Sequence, residues 1–191
     1  MARESPRPRS RRLIFIAYTL PAETAGAIAT WAQGTLGDAG ELRLVAAPNL
    51  HITLVFCGRL PAERVEEVVD RTRAAIALHL PPRYSPSRVR VLARSAVVLE
   101  LDAAAPDRAL RGWPLGTLAL ELGSAGLRRQ ETREWLPHVT VARARRGQRP
   151  AVRAEPPDMS FAPDAIAVLE SVSVPGGVRY DERARFPFPP A

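Results

Sequence analysis

Two tripeptides of the same form, His51-Ile52-Thr53 and His138-Val139-Thr140, carry the residue types in this chain best suited to chemistry. In each, a β-branched apolar residue separates histidine from threonine, and another apolar residue follows. The chain has only three histidines. A given histidine has such neighbours by chance at roughly the half-per-cent level, so chance does not account for two of three. The alternative is that both histidines are structural residues on strands, where threonine is common.

Strand geometry gives the spacing a meaning, because residues i and i+2 of a β-strand lie on the same face. On such strands His51 and Thr53 share one face, and His138 and Thr140 share one face. The residues predicted to face a core instead are Ile52, Leu54, Phe56, Val139 and Val141. Two such strands bordering a cleft would present two imidazoles and two hydroxyls to it.

That set of groups suits cleavage of a phosphodiester. One neutral imidazole can take a proton from the nucleophile, and one imidazolium can protonate the leaving oxygen. The threonine hydroxyls can donate hydrogen bonds to the non-bridging phosphate oxygens. This chemistry needs no metal, and the sequence has no His-x-x-x-His pattern and no pair of cysteines. The two histidines would titrate as a coupled pair, and symmetry leaves open which is the acid.

The hydrophobic pattern predicts the elements that position these tripeptides. Strands are predicted over residues 13–18, 42–46, 50–57, 88–93, 96–101, 134–143, 165–174 and 178–186. Helices are predicted over 23–36 and 105–122, and a third helix follows Pro61. Gly58 is expected to end the strand that begins at residue 50, and residues 147–163 form a proline-rich loop. Each half has strands, a helix and one His-apolar-Thr strand, which indicates a duplicated α+β unit.

The two motifs in their flanking sequence resemble the two-histidine (2H) phosphoesterase superfamily, and more closely its RNA 2′,3′-cyclic phosphodiesterase branch, historically called 2′-5′ RNA ligase. The segments that carry this likeness are residues 49–58 and 133–143, supported by 12–17 and 170–186. The resemblance implies a bilobal α+β fold, with two antiparallel sheets and flanking helices around a central cleft. It also implies hydrolysis of RNA 2′,3′-cyclic phosphate ends to 2′-phosphates without metal or cofactor.

The resemblance further implies a role for each site residue. His51 would be the proton donor to the 3′ oxygen, and His138 the proton acceptor that activates water. Thr53 and Thr140 would hold the phosphate, and Arg143 matches a phosphate-contacting arginine of the family. Strict alternation places Arg143 on the face opposite His138. A bulge or the end of the strand near Ala142 must therefore turn it inward, or else it is a surface arginine.

Composition bounds the class of protein. The 191 residues are 46% hydrophobic, which suits one disordered basic tail (1–11) and one bilobal domain (12–191). The formal charge is +7, and all 27 basic residues are arginine. GC-rich codon usage would explain the use of arginine instead of lysine. The positive sign favours a phosphate-bearing or RNA partner. No apolar run is long enough for a membrane span or signal peptide, and Cys57 is the single cysteine. We therefore expect a cytoplasmic monomer that binds no membrane.

Secondary candidates have weaker support. Trp135 and Tyr18 could stack on a base, although large aromatic residues are more often in the core. Three arginines that flank the second motif could contact an RNA backbone or form a solvated face: Arg133, Arg145 and Arg146. His79, near the end of a predicted helix, is expected to interact with the helix C-terminus or lie on the surface. Cys57 is expected to have a packing role.

Two alternatives to the RNA-end enzyme remain open. One is a 2H phosphodiesterase that acts on small cyclic nucleotides or on an ADP-ribose cyclic phosphate, since nothing in the sequence fixes the size of the leaving group. The other is a noncatalytic RNA-binding module that uses the same cleft. The presence of both complete tripeptides argues against the second alternative.

Overall fold

The computed structural model describes residues 10–77, 79, 82–103, 115–128 and 134–188. The helices are α1 (Ala22–Leu36), α2 (Val65–Ala75) and α3 (Leu115–Ser124). The strands are β1 (Arg11–Thr19), β2 (Leu42–Leu44), β3 (His51–Pro61), β4 (Tyr84–Leu92), β5 (Ala96–Ala103), β6 (His138–Ala144), β7 (Ala165–Val174) and β8 (Gly177–Pro187). Among these residues, no helix is both long enough and apolar enough to cross a bilayer.

Regular hydrophobic patterns gave the best predictions of the elements. The predicted helix over 23–36 is α1, and the predicted C-terminal hairpin is β7–β8 with its turn at Pro175-Gly176. The predicted tail over residues 1–9, the first part of the predicted helix over 105–122, and Arg133 lie outside the described residues. Arg11, which was assigned to the tail, is the first residue of β1.

The strands form one antiparallel sheet in the order β4-β5-β6-β3-β1-β7-β8, and β2 pairs with β6. The N-terminal half supplies β1 and β3, which pair with each other, and β7 and β8 extend this lobe. The other lobe is built around β6 with β5, β4 and β2. The lobes join at one register pair, Ile52 with Val139. The predicted bilobal α+β fold is therefore correct. The sheets of the two lobes join through the central residues of the two tripeptides and form one continuous sheet.

The helices pack on one face of this sheet, and the histidines and threonines of the two tripeptides lie on the other face. Helix α1 buries Ala25, Ile28, Ala32 and Leu36, which recur at helical spacing. Alternate residues of β1 (Ile14, Ile16 and Tyr18) belong to the same apolar cluster as Ile28. The intervening residues Phe15 and Ala17 belong to a second, smaller cluster on the opposite face. The chemistry-bearing face is thus the one without helices.

The orientation of Phe56 differs from the prediction. Phe56 does not face the core: it is 58% exposed and pairs with Phe15 on the opposite face. The register between β1 and β3 shifts twice, so that β3 has one extra residue between Thr53 and Val55 and another between Phe56 and Gly58. Such bulges reverse the alternation of side chains beyond them. Gly58 also does not end β3, which continues to Pro61 with Gly58 at φ +80°.

Burial decides between the alternatives for two secondary candidates: Tyr18 takes the core position that is more frequent for a large aromatic residue, and the surface position considered for His79 is wrong. Tyr18 is fully buried in the core, so it has no exposed ring on which a base could stack. His79 is 8% exposed and is not a surface residue. Its Nε2 hydrogen bonds to the Tyr18 hydroxyl, and the two rings stack with centroids 5.7 Å apart. The pair joins the segment after α2 to the central strand β1.

Candidate active site

The four tripeptide side chains alternate with the core as predicted. Ile52 and Val139 are fully buried, whereas the histidine and threonine on either side of each are partly exposed. Because the antiparallel register is centred on the Ile52–Val139 pair, His51 lies beside Thr140 and Thr53 lies beside His138. An approximate twofold axis therefore passes between the two central residues. The single pairing between the lobes brings all four polar side chains onto one face.

The two histidines are held in the same way. The Nδ1 of His51 lies 2.8 Å from the Asn49 carbonyl oxygen, and the Nδ1 of His138 lies 2.8 Å from the Leu136 carbonyl oxygen. A carbonyl only accepts, so each Nδ1 carries the proton and donates it. The reactive nitrogen is then Nε2 in both rings. Either imidazole can accept a proton at Nε2 when neutral or donate one there when charged.

Aromatic rings enclose His51. The Phe15 ring centroid lies 5.1 Å from that of His51, and Tyr180 approaches edge-on at 5.1 Å. Tyr180 lies on β8, separated from β3 by β1 and β7, a distance of about 14 Å in a flat sheet. The ring contact therefore requires the sheet to curl toward the chemistry-bearing face. The Thr53 hydroxyl lies 3.2 Å from the His51 Nε2 and can donate to it when the ring is neutral.

The surroundings of His51 favour its neutral form. Burial lowers the pKa of His51 below its ordinary value of 6.5, and the positive charges of His138 and Arg143 lower it further. The hydrogen bond to the Asn49 carbonyl acts in the opposite direction and is outweighed. The protonation of His51 therefore depends in part on the charge that His138 carries.

A β-bulge in β6 lies between the second tripeptide and Arg143. Along the β5–β6 ladder, β5 advances by one residue from Val98 to Val97, whereas β6 advances by two, from Thr140 to Ala142. Val141 is the extra residue, and both Val141 and Ala142 are fully buried. The predicted bulge near Ala142 is therefore confirmed.

The bulge places Arg143 on the face of His138 and Thr140. Ala96 and Val98 alternate along the same face of β5, and their partners are Arg143 and Thr140. Without the extra residue, position 143 would lie on the helix-covered face. Arg143 is exposed, and its charge acts on His51, so its guanidinium lies close enough to influence that histidine electrostatically.

A family model agrees with this arrangement: that of the 2′-5′ RNA ligase superfamily matches residues 20–174. The chain belongs to this superfamily. A crystal structure of a phosphoesterase is 26% identical, with a TM-score of 0.75 over 93% of this chain and 98% of that chain. E. coli LigT complexed with 3′-AMP is 26% identical, with a TM-score of 0.74 over the same shares of the two chains.

A third solved structure, TT0787 of Thermus thermophilus, is 21% identical with a TM-score of 0.74, covering 93% of this chain and 97% of that one. At this identity the likeness concerns the fold alone. Comparison with curated proteins gives no significant match. Together, the family match and the similar structures make this protein a 2H phosphoesterase.

In this 2H phosphoesterase, Trp135 connects the two motif-bearing strands. Its indole Nε1–H donates to the Thr53 carbonyl oxygen at 3.0 Å, and the ring packs partly buried against the core. Pairing between β3 and β6 is limited to Ile52 and Val139, so this side-chain bond extends the contact between the lobes. Stacking of Trp135 on a base stays a prediction, and the contact seen is one that positions Thr53.

Several residues of the site were not predicted from the sequence to have a role there. Phe15 and Tyr180 contact the His51 ring, and the Asn49 carbonyl fixes its orientation. Glu100 is the register partner of His138 in the β5–β6 ladder. Only Asn49 had a local signal, because it lies two residues before the histidine. The other three are brought in by strand register.

The other secondary candidates have structural contacts of their own. Arg145 is exposed and donates from Nε to the Gly40 carbonyl oxygen at 2.9 Å, and Arg146 is exposed. Cys57 is buried in the main core, as its expected packing role requires. Burial raises the pKa of the Cys57 thiol to about 12.

Proposed function

We propose that this 2H phosphoesterase hydrolyses RNA 2′,3′-cyclic phosphate ends to terminal 2′-phosphates, without a metal ion. The observation that carries the proposal is the matched pair of imidazoles, each with its Nδ1 bonded to a carbonyl and both on one face of neighbouring strands. General acid and general base chemistry needs two such groups on opposite sides of the reacting phosphorus.

The proposed reaction proceeds as follows. A water oxygen attacks phosphorus while its proton passes to Nε2 of neutral His138. The bond from phosphorus to the ribose 3′ oxygen breaks, and that oxygen takes the proton from Nε2 of charged His51. Thr53, Thr140 and Arg143 donate to the non-bridging oxygens, where negative charge concentrates. The assignment of acid and base follows the family likeness, because the local symmetry treats the two rings alike.

Three observations support a phosphate-bearing substrate. Arg143 reaches the site face only because β6 contains the bulge at Val141, and a guanidinium suits a phosphate. LigT, which is 25–28% identical to this chain, was crystallised with 3′-AMP, with ATP, with NADP+ and with phosphate. All of these carry phosphate groups. The net charge of +7 favours encounter with a polyanion such as RNA.

The test is to incubate the protein with a short RNA ending in a 2′,3′-cyclic phosphate, in excess EDTA, and to follow the phosphorus by NMR. We expect a single 2′-monophosphate product, and near-complete loss of turnover in His51→Ala and in His138→Ala. Arg73→Gln, on helix α2, removes one positive charge from the helix-covered side and serves as the matched control. Turnover that requires added divalent metal, or that survives either histidine substitution, would contradict the proposed mechanism.

A further inference from the structure

Two arginines lie directly opposite each other on the active-site face. Arg43 of β2 and Arg143 of β6 are register partners in an antiparallel pair, so their side chains project to the same side. Cβ atoms of such partners lie about 5 Å apart, and like charges in this position are destabilising. Among the residues that the structure describes, neither guanidinium forms an ion pair. An uncompensated pair of this kind favours binding of an anion.

The position of Arg43 is set by the turn between β7 and β8. Its Nη1 donates to the Gly176 carbonyl oxygen at 2.7 Å. A Cβ atom at Gly177 would lie only 2.9 Å from the same nitrogen, so the absence of a side chain there lets the guanidinium lie against the turn. The Asn49 side chain, from the segment before β3, donates to the Val178 carbonyl oxygen at 3.0 Å. The first bond ties the turn to β2, and the second ties it to the chain segment that leads into His51.

Between the turn and this segment lies a groove of about 280 Å³. Arg43, Arg143, Asn49 and Tyr180 are among the residues that line it. Tyr180 also contacts the His51 ring, so the groove opens next to the proposed reaction centre. Two arginines and one aromatic residue therefore line the groove, and the aromatic residue contacts His51.

We propose that Arg43 binds a second phosphate, the one on the 5′ side of the nucleotide whose cyclic phosphate is opened. Arg143 then contacts the reactive phosphate, and Arg43 contacts the next phosphate along the RNA chain. This inference rests on the proposed function. It adds a physical reason for the enzyme to act on an RNA end in preference to a cyclic mononucleotide with a free 5′-hydroxyl. Only one N–H of the Arg43 guanidinium is used by Gly176, and a guanidinium has five.

Binding is the first test, because it does not depend on turnover. The probes are adenosine 2′-monophosphate and adenosine 2′,5′-bisphosphate, which differ by one 5′-phosphate, and affinity is measured by calorimetry. We expect the wild-type protein to bind the bisphosphate about tenfold or more tightly, as one charge-assisted hydrogen bond allows. Arg43→Gln should abolish this preference and leave the affinity for the monophosphate within about twofold. The preference should also weaken as salt is added.

Turnover is the second test. Adenosine 2′,3′-cyclic phosphate is compared with its 5′-phosphorylated form, with Arg73→Gln as the control for loss of one positive charge. Arg43→Gln should lower kcat/KM about tenfold for the 5′-phosphorylated substrate alone. An equal loss on both substrates, or no wild-type preference in binding, would overturn the assignment of Arg43. If wild type turns over neither substrate yet prefers the bisphosphate in binding, the proposed reaction fails while the phosphate subsite stands.

Discussion

Replacing Arg143 by glutamine should separate activity from stability, because this residue lies at the candidate site and has no ion-pair partner among the residues that the structure describes. Arg143 is exposed, faces Arg43 across the β2–β6 pair, and forms no ion pair among the described residues. The substitution removes one like-charge contact, which is worth a few tenths of a kcal/mol in favour of the variant. The free energy of unfolding should therefore stay the same or rise slightly.

The activity of Arg143→Gln should fall steeply. A hydrogen bond from a guanidinium to a charged phosphate contributes about 1.5–3 kcal/mol, which corresponds to about 10- to 150-fold in kcat/KM. Arg143→Lys keeps the positive charge but loses the planar fork, so it should recover part of the loss. The assays are urea unfolding for stability and initial rates on a cyclic-phosphate-ended RNA for activity.

The result that would refute this reasoning is the reverse pattern. If Arg143→Gln lost more than about 1 kcal/mol of stability while kcat/KM changed less than about threefold, Arg143 would serve the fold rather than the phosphate. The bulge at Val141 would then need another explanation, since its visible effect is to place this guanidinium beside the tripeptides.

Three further predictions concern His51 and Trp135. His51 should titrate below 6.5 by NMR, because burial and the charges of His138 and Arg143 lower its pKa, and its pKa should rise in Arg143→Gln; an unchanged value would contradict the electrostatic coupling. Its lowered pKa also means that its contribution to stability is present above pH 6.5 and is lost as pH falls through the folded-state pKa, so acid unfolding should be less steep in His51→Gln. Trp135→Phe removes the bond to the Thr53 carbonyl and should lower the free energy of unfolding by about 1–2 kcal/mol in urea; no change would show that this bond is not needed to hold the strands.

Local pattern predicted the tripeptide strands and the residues that share each face next to the histidines. His51 with Thr53 and His138 with Thr140 could be placed on common faces because two-residue periodicity needs no knowledge of the partner strand. The helix α1 was predicted for a similar reason, since its buried residues recur at helical spacing within fifteen residues.

What local pattern could not give is everything that depends on register between distant strands. The prediction that Phe56 faces the core was wrong because a bulge in β3 is defined by its pairing with β1. No residue type in the sequence indicates that bulge. For the same reason the sequence could only require a bulge before Arg143, because its position is defined by the pairing of β6 with β5. Tyr180 reaches His51 only through the curl of the whole sheet. Nonlocal geometry therefore accounts for most of the differences.

The lowered pKa of His51 bears on the roles of the two histidines. In the free protein His51 favours the neutral form, which suits a base, whereas the family likeness makes it the acid. A cyclic phosphate diester carries one negative charge. Bound beside Nε2, that charge opposes the effect of His138 and Arg143 and stabilises the imidazolium. The proposed acid role of His51 thus depends on substrate: the phosphate that we propose Arg143 to hold would also raise the pKa of the histidine proposed to protonate the leaving oxygen. On this reasoning the direction of the pKa shift in the free protein and the acid assignment are compatible, because they describe two different states of the site.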